Sequence, residues 1–203
     1  MFSQLTEYSV QRIMSSSNAT CTLNLMPTWL IKHCSDVSMP TITQLLNFSL
    51  LKGHVPAPWK NAVVKPQLRK SGIDPILKNY RPVSNLLFAA KIAEKAVIDQ
   101  LMAQCTTSHL LPDNQSSHRK HHSTETALVK VHNVIIASMD NQETTFLILL
   151  DLGTAFYTIN HSLMMDILEN NYFGIVVKRW FRSYLDDRQQ WLRLNNICLT
   201  VFS

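Results

Sequence analysis

Apolar residues recur at helical spacing in several segments of this 203-residue chain. The first such segment follows Pro40 and stops at Gly53, a residue that readily closes a helix. Its apolar face is formed by Ile42, Leu45, Leu46 and Leu50. Similar spacing over residues 91–105, 123–140, 161–173 and 178–187 predicts four further helices.

Two of these predicted helices carry clear apolar faces. The face of the helix over 91–105 consists of Ile92, Ala96, Val97 and Leu101. The face of the helix over 123–140 consists of Leu128, Val131, Val134, Ile135 and Met139. Ser123 or Thr124 can cap the second helix, and Glu125 lies in its first turn, where a negative charge suits the helix dipole. Both segments are therefore predicted to be amphipathic helices.

Strand patterns lie between these helices. Residues 62–68 and 80–86 read as two short strands, joined by a polar turn around Ser71, Gly72 and Asp74. The hairpin that they predict would carry four cations, namely Lys65, Arg69, Lys70 and Arg81. Residues 189–196 alternate between polar and apolar positions and predict a further strand.

A run of β-branched and aliphatic residues over 144–150 leads directly to Asp151. Because this run does not alternate, it predicts a strand that is buried on both faces. Strand ends in α/β architectures open onto ligand crevices, which makes Asp151 a candidate metal-binding or catalytic carboxylate. The alternative is an acid that only caps the following turn.

Composition limits the class of protein. With 46% hydrophobic and 16% charged residues, the chain can bury a core and form one or two domains. Its longest aliphatic and aromatic run, 146–150, is far shorter than the ~20 residues that a membrane span needs, and its start has no apolar signal segment. The four cysteines have no C-x-x-C spacing, which favours reduced thiols. We therefore expect a cytoplasmic or nuclear protein that is not secreted.

The positive charge is concentrated in one segment. The chain has a formal net charge of +5, and residues 52–95 contain nine Lys or Arg residues against two acids, Asp74 and Glu94. A basic segment of this kind is a candidate phosphate-binding face, because each neutralised phosphate releases condensed counterions. The alternative is an ordinary solvated surface.

Histidines offer a second candidate site. His118, His121, His122 and His132, with Glu125, include spacings that could bind zinc. Arg119 and Lys120 lie among them and would repel a cation, and no cysteine is near. The zinc interpretation is therefore the weaker one.

Several motifs together resemble one known family. The segments "VPAPWKNAVVKPQLRKSG", "NYRPVSNL", "KIAEK", "HSTETAL", "LLDLGTAFYTINH" and "WFRSYLDDRQQ" occur in the order and approximate spacing of reverse transcriptases from non-LTR (LINE-type) retrotransposons. The resemblance runs from about residue 21 to residue 196. It implies an α+β fold comprising the fingers and a truncated palm of a right-hand polymerase. The implied organisation is a pre-polymerase linker over 1–40, a fingers-like region over 41–143 and a partial palm over 144–203.

The resemblance also implies roles for individual residues. Asp151 matches the first palm aspartate, which helps to hold two Mg²⁺ ions and would be both a metal ligand and a catalytic residue. Phe156 matches the bulky residue under the sugar of the incoming nucleotide. Lys70, Arg81 and Arg119 match cations that contact the triphosphate and the template. The implied partners are RNA and primer-template nucleic acid, bound weakly and in a salt-dependent way, with no membrane and no indicated oligomeric state.

The chain also departs from the family pattern. Tyr157 and Asn160 stand where aspartates are usual, and Ser117 and His118 replace the glycine and phenylalanine of the motif "QSGFR". The sequence stops before the "PQG" and "A-D-D" motifs, which supply the remaining palm carboxylates. We therefore expect a catalytically inactive fragment of an RNA-directed DNA polymerase, for which Mg²⁺ is implied but poorly held by Asp151 alone.

Two alternatives remain open from sequence. The chain could be a non-catalytic RNA- or DNA-binding module, or an unstable relic that exposes an interaction surface. The polymerase assignment carries two structural requirements. Residues 62–86 should form a hairpin, and Asp151 should lie at the end of a central strand.

Overall fold

The computed structural model of the chain describes residues 1–17, 26–150, 159–170, 173–194 and 197–201. Its helices are α1 (Glu7–Ser16), α2 (Thr28–His33), α3 (Ser35–Lys52), α4 (Phe88–Thr107), α5 (Thr124–Asp140), α6 (His161–Asn170) and α7 (Ile175–Leu185). Its strands are β1 (Asn61–Leu68), β2 (Tyr80–Leu86), β3 (Gln189–Leu194) and β4 (Ile197–Val201). Short 3₁₀ helices span Ala57–Lys60 and Leu77–Asn79. This mixture of helices and sheet confirms the α+β class.

The four strands form one sheet in the order β2-β1-β3-β4. Strands β1 and β2 pair antiparallel from Ala62↔Leu86 to Leu68↔Tyr80, which confirms the predicted hairpin. Strand β3 joins β1 in parallel, with Val63 opposite Trp191. Strand β4 pairs antiparallel with β3 and completes the sheet. The strand predicted from the alternation over 189–196 is therefore confirmed for Gln189–Leu194.

The hydrophobic core gathers residues from α1, α3, α4, α7 and the hairpin. Its most deeply buried large side chains are Trp180, Phe88, Leu46, Ile92, Val10 and Val55. Helix α4 contributes Ile92, Ala96 and Val97, as the apolar spacing predicted. Ala62 and Leu86, which pair across the hairpin, also belong to this core. The helical face of α3 is confirmed in part, since Leu46 and Leu50 are buried while Leu45 is exposed.

Helix α3 begins five residues before Pro40, not after it as predicted. Proline lacks an N–H, so its place inside the helix removes one intrahelical hydrogen bond. The predicted end of the helix is confirmed, because Gly53 adopts a left-handed conformation with φ of 61°. Its N–H bonds to the carbonyl of Leu50, and the N–H of His54 bonds to the carbonyl of Ser49. These bonds satisfy carbonyls that a helix end would otherwise leave unpaired.

The chain divides into two compact units, one over 1–103 with 160–203 and one over 104–159. The second contains α5, whose predicted cap is confirmed: the hydroxyl of Ser123 accepts from the Thr126 N–H, and the Thr126 hydroxyl accepts from the Ser123 N–H. The Ser123 hydroxyl also lowers the pKa of Glu125. No residue of α5 is buried, although its apolar face was predicted from helical spacing. The periodicity was correct, but the described residues provide no surface that covers it.

The predicted strand over 144–150 is wrong for the residues that are described. Residues 143–150 have no regular secondary structure, and Phe146 and Leu150 are 86% and 88% exposed. A strand exists only when its backbone groups pair with a neighbour, and β1 to β4 are paired with each other instead. The apolar composition of residues 144–150 therefore indicated only a tendency to be buried. It could not show whether another strand would pair with them. Asp151 and the residues up to 158 lie outside the described residues.

None of the helices described in the structure has the length and apolar character that crossing a bilayer requires.

The N-terminal helix α1 packs Val10, Ile13 and Met14 into the core of the first unit. The predicted boundaries at residues 40 and 143 stay a prediction.

Candidate nucleic-acid interface

The β1–β2 hairpin carries the cations that the sequence singled out. Gln67 lies opposite Arg81 in the antiparallel register, and Lys65 lies two residues before Gln67 on the same face of the sheet. The guanidinium of Arg81 lies 3.5 Å from the amide oxygen of Gln67. Lys70 lies just past the end of β1, in the loop that leads to β2. The structure therefore brings Lys70 and Arg81 onto the same hairpin.

These hairpin cations are open to solvent. Lys65, Arg69, Lys70, Lys78 and Arg81 are all exposed. In the described part of the chain, none of them forms an ion pair with a carboxylate. Their charges are thus not neutralised within the hairpin, and they can contact phosphates directly.

Other cations of the basic segment are already engaged. Lys95 forms an ion pair with Asp99 at 2.7 Å on α4. Lys91 donates to the side-chain oxygen of Asn85, and Lys60 is buried, with 8% of its surface exposed. Of the excess positive charge over residues 52–95, the part that is available to bind phosphates therefore lies mainly on the hairpin and its loop.

Strand β3 adds two residues that sequence reasoning missed. Trp191 lies opposite Val63 in the parallel register, so it occupies the same face as Lys65 and Arg81. Arg193, two residues later, lies on that face as well. Both are half-buried. The alternation in "QQWLRL" predicted a strand, but only the pairing of β3 with β1 shows that its odd-numbered residues continue the hairpin face.

Arg119, the third predicted cation, lies in the second compact unit. It is half-buried, and one guanidinium nitrogen lies within hydrogen-bond distance of the carbonyl oxygens of Pro112, Asp113 and Gln115. These contacts hold the loop that precedes α5. A role for Arg119 in nucleotide binding stays a prediction.

The predicted catalytic positions Asp151 and Phe156 lie outside the described residues. Within the described ranges, no three His, Cys, Asp or Glu side chains come together as metal ligands. That finding covers His118, His121 and Glu125, so the described histidines do not form the zinc site that their spacing made possible. Asp151 stays a predicted metal ligand.

The described chain resumes at Ile159, and Asn160 immediately caps α6. The side-chain oxygen of Asn160 accepts from the N–H of Leu163 at 3.1 Å. Asn and Asp are about equally good at this position. An asparagine at the place where related sequences usually have aspartate therefore keeps the helix start while removing a negative charge.

A concave surface between α6 and α7 has mixed charge. It encloses about 370 Å³ and is lined in part by His161, Asp166, Lys178, Arg182 and Asp186. Two acids and two permanent cations face the same space, so its charge does not favour a particular class of ligand. The basic hairpin is the better candidate interface.

Comparison with known proteins identifies the family. Residues 65–200 match the family described as "Reverse transcriptase (RNA-dependent DNA polymerase)". Three proteins of Drosophila melanogaster are similar over most of the chain. "Probable RNA-directed DNA polymerase from transposon BS" is 26% identical over 70% of this chain, and "RNA-directed DNA polymerase from mobile element jockey" is 28% identical over 64%. "Probable RNA-directed DNA polymerase from transposon X-element" is 24% identical over 78%.

The chain spans only 14–17% of the length of these relatives. The matched region begins at Lys65 in β1 and extends to residue 200 in β4. It therefore includes most of the basic hairpin and of the sheet, together with the position of Asp151. The predicted resemblance to a reverse transcriptase domain of a non-LTR retrotransposon is confirmed. By the match over 65–200, the chain belongs to the reverse transcriptase family.

Proposed function

We propose that this chain is the nucleic-acid-binding, fingers-like part of an RNA-directed DNA polymerase with a right-hand fold. Its basic hairpin binds the phosphates of RNA or of a primer-template. The observation that carries this proposal is the group of exposed, unneutralised cations Lys65, Arg69, Lys70 and Arg81. The family match begins within β1, at Lys65, and includes all four of these cations, which supports a role in the family's function.

The electrostatics of the hairpin predict how binding depends on salt. Each phosphate that a cation neutralises on a single strand contributes roughly −0.7 to the slope of log affinity against log salt. Four contacts would therefore give a slope of about −3. Binding of this kind is sequence-independent, because phosphates carry no base information.

The test is a salt series with a labelled single-stranded RNA and purified chain, read by fluorescence anisotropy. Arg81→Gln and Lys70→Gln are expected to lower affinity at every salt concentration and to make the slope shallower by about 0.7 each. Lys95→Gln is the matched control, since it removes the same charge from a residue that is ion-paired on α4. An affinity that does not change with salt would contradict the proposal, as would equal effects of Arg81→Gln and Lys95→Gln.

The polymerase reaction itself depends on residues beyond the described hairpin. Members of this family use divalent cations. Asp151 remains our proposed metal-binding and catalytic carboxylate, and Phe156 our proposed nucleotide-contacting residue. We propose that the 203 residues do not catalyse DNA synthesis on their own. Asp151 is the one metal-binding carboxylate that the family resemblance identifies among these residues, and the motif around it has also lost two acids, at Tyr157 and Asn160.

The exposed apolar surface of the second unit supports a different proposal, an unstable or purely interacting chain. Leu128, Val134 and Met139 on α5 are each more than half exposed, as are all the side chains from Phe146 to Leu150. Exposed apolar surface of this extent favours association or aggregation. A circular dichroism melting curve separates the two readings, because a nucleic-acid-binding module should unfold cooperatively and should be stabilised by added RNA.

A further inference from the structure

The charged residues of the sheet are all of one sign. The sequences of β1 to β4 contain three charged side chains, Lys65, Arg81 and Arg193, and no Asp or Glu. Because the strands belong to one sheet, these cations are distributed over three neighbouring strands.

The register places the three cations on one face. Arg81 is opposite Gln67, and Lys65 shares the face of Gln67 because alternate residues of a strand point the same way. Val63, two residues before Lys65, is opposite Trp191, and Arg193 follows Trp191 by two. The face thus runs from β2 through β1 to β3.

The other face of the sheet is turned toward the hydrophobic core. Ala62 and Leu86 are paired with each other, are both buried, and belong to the core cluster. Each is one residue away from a member of the cationic face, Val63 or Asn85, and therefore points to the opposite side. The cationic face therefore lies on the side of the sheet opposite to Ala62 and Leu86. On that face Lys65 and Arg81 are exposed, whereas Val63, the neighbour of Trp191 on β1, is buried with 2% of its surface exposed.

Trp191 is the aromatic residue of the cationic face. Trp180 and Trp59 are buried, with 2% and 7% of their surfaces exposed. Trp29 is exposed but belongs to α2 and not to a strand of the sheet. Proteins that bind single-stranded nucleic acids often combine an aromatic ring with nearby cations. A base stacks on the ring, and the cations contact the phosphate backbone.

We propose that Trp191 stacks on an unpaired base of a single-stranded nucleic acid whose phosphates are bound by the exposed cations Lys65 and Arg81. This inference rests on the proposed function of the hairpin and extends that interface across β1 to β3. It adds a preference that cations alone do not provide. Cations bind single and double strands alike, whereas stacking requires a base face that a duplex hides.

The experiment compares binding of a short single-stranded RNA with binding of the same RNA in a duplex. Trp191→Ala is expected to weaken single-strand binding roughly tenfold, to leave duplex binding within about twofold, and to leave the salt slope unchanged. Leu192→Ala is the matched control, because Leu192 is the next residue of β3 and points to the opposite face. Arg81→Gln is measured in parallel as the test of the hairpin itself.

A second measurement covers the case in which Trp191→Ala does not fold. Trp191→Phe keeps an aromatic ring in place, so it should retain most of the single-strand affinity. RNA binding is expected to quench the tryptophan fluorescence of the unaltered chain, and Trp191→Phe should lose that quenching. Equal quenching in both proteins would overturn the inference.

The outcomes distinguish this inference from the proposed function. If Arg81→Gln weakens binding while Trp191→Ala affects single strands and duplex equally, the stacking inference is wrong and the basic hairpin stands. If Trp191→Ala changes single-strand binding selectively while Arg81→Gln has no effect, stacking stands and the proposed role of the hairpin is wrong.

Discussion

The indole Nε1 of Trp180 on α7 donates a buried hydrogen bond to Oγ of Ser49 on α3, at 3.1 Å and across 131 residues of sequence. The hydroxyl of Ser49 in turn donates to the carbonyl of His54 at 2.7 Å. A second hydrogen bond connects the same two segments: the N–H of Val55 donates to the hydroxyl of Ser183 on α7 at 3.0 Å. These bonds attach the C-terminal helix to the end of α3.

Ser49→Ala is expected to destabilise the chain by about 1–3 kcal/mol, since it leaves a buried indole N–H without its acceptor. The free energy of unfolding from urea denaturation measures this cost. In a Trp180→Phe background the same substitution should cost less, because the donor has already been removed. Equal costs in both backgrounds would show that the hydrogen bond is not the cause.

Gly53→Ala should destabilise the chain more than Gly72→Ala. Both glycines have positive φ, so either substitution carries a strain of about 1 kcal/mol. A Cβ at Gly53 would also lie 2.8 Å from the carbonyl oxygen of Val176, whereas nothing lies within 4 Å of one at Gly72. Thermal or urea unfolding of the two variants compares them directly. Equal losses of stability would contradict the close packing of Gly53 against α7.

Asn160→Ala should weaken the start of α6 by about 1 kcal/mol, because the Leu163 N–H loses its acceptor. Asn160→Asp should keep the cap, as both side chains accept this bond. Hydrogen exchange of amides in the first turn of α6 measures the effect. Faster exchange in Asn160→Ala and unchanged exchange in Asn160→Asp is the expected pattern, and the reverse would rule out a capping role.

The ion pair between Glu169 and Lys178 predicts a small pH dependence of stability. The hydrogen bond from Lys178 lowers the pKa of Glu169 below its ordinary value. The folded state therefore releases this proton more readily than the unfolded state does. Its stabilisation is present above the ordinary pKa of glutamate and is lost as pH falls through the lower, folded pKa.

Glu169→Gln should remove the part of the acid-induced loss of stability that this ion pair causes. The difference in unfolding free energy between Glu169→Gln and the unaltered chain should be smaller in high salt, because salt screens exposed charges. Asp99→Asn is a useful comparison, since Asp99 belongs to a different ion pair, with Lys95 on α4. Stability curves of the parent and Glu169→Gln that run parallel through the acid range would contradict the prediction.

Primer extension on an RNA template tests the absence of catalysis. With Mg²⁺ or Mn²⁺, the 203-residue chain is expected to add no more nucleotides than its Asp151→Asn variant. Phosphoryl transfer depends on positioned metal ions, and one carboxylate anchors two ions poorly. Extension by the parent that Asp151→Asn abolishes would show that the site is complete enough to act.

Local patterns predicted the elements that local chemistry determines. The end of α3 followed from Gly53, the start of α5 from Ser123, and the hairpin from two apolar runs around a polar turn. In each case residues close in sequence make the contacts that define the element. The cations Lys70 and Arg81 could likewise be selected as one surface, because a hairpin brings neighbouring sequence together.

Contacts between distant segments could not be predicted in the same way. The apolar residues Leu128 and Met139 have helical spacing, yet spacing does not show what covers a face, and both are exposed. The run from Phe146 to Leu150 has strand composition but pairs with none of the sheet's strands. In the sequence analysis, a strand before Asp151 was a requirement of the polymerase assignment. That requirement was too strict, because the chain matches the family although residues 143–150 form no strand.

The parallel pairing of β3 with β1 is the long-range contact that the sequence indicated least. Nothing in "QQWLRL" indicates that Trp191 lies beside Val63, so its place on the cationic face is visible only in the structure. A functional surface assembled by parallel pairing of distant strands leaves no short motif in the sequence.

The parallel pairing of β1 with β3 also has a consequence for biosynthesis. Val64 and its partner Leu192 are separated by well over a hundred residues, so the sheet cannot be completed while the ribosome is still translating the helices between them. During that interval β1 has an unpaired edge in an emerging chain, and such edges can pair with other molecules. Pairs so far apart in sequence also close slowly. Assembly of the sheet is therefore expected to be the late, chaperone-sensitive step in the maturation of this protein.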